Sequence, residues 1–96
     1  MKEVENSDMV DIEPKQVIEM IMDILEVSYG NLGYLSFRLH SINPNTDEDV
    51  YIIKYSFIPR SPENKRIYYA GKVNIKNKNM FKIKEIKEED LQKDDY

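Results

Sequence analysis

The chain has 96 residues, 41% of them hydrophobic, with 14 Lys and Arg set against 18 Asp and Glu for a formal charge of −4. That length holds a single domain, and the lack of cysteine excludes disulfides, thiolate metal sites and thiol catalysis. No apolar run approaches the ~18 residues that a membrane-crossing helix needs, and the acidic N-terminus lacks the apolar stretch of a signal peptide, so a soluble cytoplasmic protein is expected.

The net charge hides a strong sorting along the chain. Residues 1–29 sum to −6, 30–53 to −2, 54–87 to +8 and 88–96 to −4. A basic stretch flanked by acidic ones builds a local positive field that attracts anionic partners.

Residues 1–10 are polar, acidic and aperiodic, and read as a flexible arm. The single domain is expected over 11–87. A helix starts near Asp11 or Glu13, with Pro14 in the first turn, where its missing N–H costs nothing. Val17, Ile18, Ile21, Ile24, Leu25 and Ser28 follow helical spacing, with Lys15, Glu19, Asp23 and Glu26 opposite. Gly30 is suited to end the helix in a left-handed conformation. Met20, Met22 and Val27 widen the apolar stripe beyond what one sheet face needs. They are either gripped by the chain's own second side or form a protein interface.

After Gly33 the period changes from helical to alternating. The first strand, Tyr34 to Ile42, points Leu35, Phe37 and Leu39 one way and Arg38 and His40 the other. Asn43 to Asp49 reads as a polar loop. Val50 to Ile58 puts Tyr51, Ile53, Tyr55 and Phe57 on one face, Lys54 and Ser56 on the other. Pro59 to Asn64 is a connection. Arg66 to Ile75 points Ile67, Tyr69, Val73 and Ile75 inward, and Arg66, Tyr68, Lys72 and Asn74 outward. After a tight Lys76–Asn79 turn, the strand Met80 to Lys87 points Phe81 and Ile83 inward and Lys82 and Lys84 outward. Residues 88–96 form an acidic tail, either a short helix or disordered.

One helix followed by four strands with short connections pairs most simply as an antiparallel meander with the helix on its apolar face, a two-layer α+β fold. This element order resembles that of cystatin-like and PepSY-like small domains over about residues 14–87. The ending Asp-Asp-Tyr resembles the acidic, hydrophobic-ended tails of bacterial single-strand-binding proteins, which implies docking of a partner protein. A solubilising end is the plainer alternative.

Alternation gathers Arg38, His40, Lys54, Arg66, Tyr68, Lys72, Asn74, Lys82 and Lys84 on the face away from the helix. Cationic side chains contact phosphates, and a Tyr ring offers a stacking platform. Arg38, Lys54, Arg66, Tyr68, Lys72, Lys82 and Lys84 are therefore the candidate anion- or nucleic-acid-binding residues. The competing reading is a solvated open face whose Lys and Arg discourage edge pairing.

Catalytic and metal motifs are weak. Ser41 follows His40 directly and is expected on the opposite side of the strand, which works against a Ser-His site. One His and no Cys do not make a zinc centre. The loop from Asn43 to Asp49 alternates oxygen side chains like the start of a calcium loop, but Glu48 stands where Gly is required and Lys54 where the bidentate Glu belongs. Gly30, Gly33 and Gly71 are too dispersed for a phosphate loop. The expectation is a non-enzymatic module without cofactor or metal, whose basic sheet face engages an anionic partner, nucleic acid being the leading class. The alternative is a homodimeric protein-interaction subunit using Met20, Met22 and Val27 or a strand edge. A small-molecule pocket between helix and sheet, lined by Tyr51, Tyr55 and Tyr69, is a third class.

Overall fold

The computed structural model describes residues 13–30, 33–74, 76–77 and 79–93. In order they form α1 (Pro14–Tyr29), β1 (Tyr34–Asn45), β2 (Val50–Pro59), β3 (Ile67–Asn74), β4 (Asn79–Ile86) and a 3₁₀ helix (Glu88–Gln92). The strands make one antiparallel sheet in the order β1-β2-β3-β4, the expected meander, and α1 packs on one of its faces. No described helix is long and apolar enough to cross a membrane. The arm at 1–10 and the end of the acidic tail lie outside the described residues.

Helix α1 begins where the sequence indicates. Pro14 occupies its first turn, and Gln16 Oε1 accepts the Glu13 N–H at 3.3 Å. Val17, Ile21 and Leu25 are buried at helical spacing. Gly30 ends the helix at φ +80°, its amide donating to Glu26 O, but its ψ of 171° lies outside the left-handed helical region, and the Gly33 amide donates back to Gly30 O. Gly33 then passes so close that an added Cβ would lie 1.8 Å from the Tyr29 carbonyl oxygen. Only glycine permits that return path.

Directly opposed residues in an antiparallel pair share a face. On the helix side, Leu39 opposes Tyr55, which opposes Tyr69, and Tyr51 opposes Val73, which opposes Met80. Ile53, Tyr55, Phe57 and Val73 join the three buried helix residues in the core. The rings of Tyr55, Phe57 and Tyr69 stack pairwise with centroids 5.7–6.5 Å apart. Such pairs add about 0.5–1.5 kcal/mol each beyond burial. Between α1 and the sheet, Leu25, Tyr29, Tyr55, Phe57, Tyr69 and Ile83 help line a half-open cleft of about 150 Å³. Tyr51, expected there, does not line it. Burial, aided by the neighbouring Tyr29 hydroxyl, pushes the Tyr69 phenol up to about 12.

Bulges alter the expected faces. In β4 the pairing slips between Ala70 and Lys72, and Lys82 takes φ +52°. Phe81, expected inward, therefore opposes Lys72 on the far face, and Met80 takes the inward position against the core. In β1 the pairing slips between Leu39 and Ser41. Ser41, expected across the strand from His40, thus opposes Lys54 and stays on the far face. β1 also runs on through Asn43, Pro44 and Asn45, which pair with Ile52, Tyr51 and Val50 instead of forming a loop. A proline fits there because β1 is an edge strand.

Candidate anion-binding face of the sheet

The face away from α1 is built from cross-strand rows. Arg38, Ser56, Tyr68 and Ile86 form one; Ser41, Lys54, Ala70 and Lys84 the next; Asn43, Ile52, Lys72 and Phe81 a third. The register brings most of the expected cations together, yet the face is not an open basic plane. Lys54 is 2% exposed and Lys72 9% exposed.

Each of these two lysines has an intramolecular partner. Lys54 Nζ donates to Asp90 O at 2.9 Å and also to Lys93 O. The ammonium thus adds a donor to Asp90 O, which also accepts the Lys93 amide, and serves the Lys93 carbonyl just past the 3₁₀ helix. Its position shows that the acidic segment after β4 folds back over the centre of the far face. Lys72 Nζ pairs with Glu48 Oε1 at 2.7 Å. The Lys72 hydrogen bond holds the Glu48 carboxyl below its ordinary range. Asp90 is lowered too, chiefly by its bond from Lys93 and then by the Lys87 amide. Within the Asn43–Asp49 stretch, Asn45 Oδ1 accepts the amides of Asp47 and Glu48. Among the described residues no group of acidic or His side chains has the arrangement of a metal site.

Around the Arg38 row the remaining candidates converge. Arg66 Nη1 donates to Ser36 O at 2.9 Å and to Ser56 Oγ at 2.8 Å, and its Nη2 donates to Ser36 Oγ at 2.7 Å. His40 Nε2 lies 2.7 Å from the same Ser56 hydroxyl, and its ring centroid is 5.9 Å from that of Tyr68. Arg38 is exposed beside them and has no hydrogen bond or ion pair among the described residues. Partial burial, then the Arg66 and Arg38 charges, lower the His40 pKa, and Glu88 acts in the opposite sense. Lys84 is exposed on β4, and exposed Lys82 sits in the β4 bulge.

Sequence reasoning placed His40 and Ser56 on this face but missed their contact, and missed Ser36 altogether. Ser36 has φ +58° within a slipped stretch of β1, and alternation carries no signal for that. Of the proposed protein-interface residues, Met20 packs against the core. Met22 Sδ accepts the Tyr34 hydroxyl at 2.8 Å. Val27 alone of the three stands clear, at 89% exposure. No family model, curated protein or solved structure matches the chain.

Proposed function

We propose that this chain is a small, non-enzymatic binding module whose positively charged sheet face engages an anionic partner, with nucleic acid the leading class. The observation that carries the reading is the occupant of that face: the chain's own acidic Glu88–Gln92 segment, tethered through Lys54. A surface that holds an anionic segment of its own chain suits an anionic segment from outside. Exposed Arg38, Lys82 and Lys84 supply phosphate contacts, and half-buried Tyr68 supplies a ring. Lys54 and Lys72 support the face from beneath and join a contact only if their present partners leave. Action in the cytoplasm belongs to the same proposal, since a cysteine-free chain suits a reducing compartment.

The test is a salt titration of binding to labelled single- and double-stranded oligonucleotides, using the full chain. Affinity should fall steeply with salt, and the Arg38→Glu, Lys84→Glu double variant should reduce the log–log slope by about two. Binding indifferent to salt and to both substitutions overturns the proposal. A second reading, a homodimeric interaction subunit, draws on the exposure of Val27 and of Tyr29 at 38% near the end of α1. Edge-strand pairing contributes little to it, because β1 and β4 both carry bulges, which oppose pairing with another chain. A monomeric mass by light scattering at high concentration removes this reading.

A further inference from the structure

We propose that a phosphate group of the anionic partner is seated at one locus of this face, the cluster of Arg38, His40 and Arg66 around the Ser56 hydroxyl. This inference rests on the reading of the sheet face given above and narrows it from a charged surface to a site.

Three features of the cluster suit a tetrahedral oxyanion. First, Arg66 is fixed in place. Its bonds to Ser36 O, Ser36 Oγ and Ser56 Oγ hold the guanidinium against the bulged start of β1. A guanidinium carries five N–H donors in a planar fork, so one held by three short bonds has lost its rotamer freedom before any ligand arrives. Second, Arg38 is exposed at the rim and has no ion pair among the described residues. Two guanidinium groups and an imidazole supply donors in several directions, which matches a phosphate better than a planar carboxylate. Third, the 3₁₀ helix starts beside this row, so that the Glu88 charge favours the protonated His40, the smallest of the influences on the ring. The tilted Tyr68 ring beside His40 supplies an apolar wall that a sugar or base would meet once the phosphate is seated.

The charged groups that act on the imidazole come from three directions. Arg38 lies on β1, Arg66 just before β3, and Glu88 beyond β4. The β2 and β4 members of the row, Ser56 and Ile86, carry no charge. The two arginines oppose protonation of His40, and a bound phosphate would offset them. Phosphate binding and proton uptake at His40 are therefore coupled, each favouring the other by the same factor.

His40 is the only histidine, so its ring C2–H gives a single reporter in a proton NMR pH titration of the full chain. The probes are inorganic phosphate and a short oligothymidylate with a 5′-phosphate, each compared with chloride at matched ionic strength. The His40 pKa should rise by about half a unit or more with either probe, a roughly threefold gain in proton affinity. Arg38→Gln should abolish that rise while leaving the far-UV CD unchanged. Glu88→Gln should tighten phosphate binding by removing a nearby negative charge. No shift with either probe at matched ionic strength overturns the site. Oligonucleotide binding without a His40 shift also overturns it but leaves the broader proposal standing. A His40 shift with inorganic phosphate and no affinity for oligonucleotide supports the site and sinks the nucleic-acid reading.

Discussion

His40 shows how position sets chemistry on this face. An imidazole in the unfolded chain titrates near 6.5, and in the fold its pKa is lowered, first by burial and then by Arg66 and Arg38. The unfolded chain therefore binds the proton more readily than the native state does. The contribution to stability is complete above about pH 6.5 and is lost as pH falls from there towards the lower folded pKa. A series of urea midpoints between pH 7.5 and 5 should fall with acidification, and His40→Asn should flatten part of that slope. An unchanged slope in the variant would mean that His40 does not carry the loss, and Glu48 and Asp90 could not account for it in that window. Their depressed pKa values place their own loss at lower pH, below about 4. Lys54 is the other decisive residue. A buried cation is costly without strong partners, and two backbone carbonyls of the folded-back segment serve it.

At the scale of elements, the helix and the four strands were legible because their apolar spacing is regular. Pro14 and Gly30 marked the helix, and Ile53, Tyr55 and Phe57 marked the inner face of β2. What escaped was every departure from strict alternation. Met80 and Phe81 exchanged faces because Lys82 adopts a positive φ, and lysine carries no local sign of that choice. Asn43-Pro44-Asn45 has the composition of a loop, yet it pairs because Val50, Tyr51 and Ile52 present a ladder to it. The candidate site was legible as a set of cations but not as a division of labour. Only the fold shows that Lys54 and Lys72 are buried while the Arg38 and Lys84 side chains are solvent-exposed. The 3₁₀ helix depends on the first of these. In Lys54→Met, the Asp90 and Lys93 carbonyls lose their shared donor, and the segment should detach at a cost of about 2 kcal/mol. Hydrogen exchange should then show the Asp90 and Lys93 amides, protected by bonds to Lys87 O and Asp90 O, exchanging freely. Retained protection would mean that something other than Lys54 holds the segment.

Over the whole molecule, charge sorting in sequence becomes charge sorting in space. The −6 of residues 1–29 includes the exposed acidic side of α1, with Glu19, Asp23 and Glu26, while the +8 of residues 54–87 falls on β2, β3, β4 and their connections. The apolar core between them separates a negative layer from a positive one. The positive layer is partly covered by Glu88 to Lys93, the described part of the acidic segment that follows it. An anionic ligand should therefore approach one face only, and compete there with the chain's own end.

An amide chemical-shift map of the ¹⁵N-labelled full chain, titrated with short oligothymidylate at low salt, tests this most directly. Perturbations should gather at Arg38 to Ser41, Ser56, Arg66 to Tyr68 and Lys82 to Lys84, with further shifts through Glu88–Gln92 as that segment is displaced. The amides of Val17, Ile21 and Leu25 should stay in place. A spectrum unchanged at saturating ligand, or shifts confined to α1 around Val27 and Tyr29, would contradict the account.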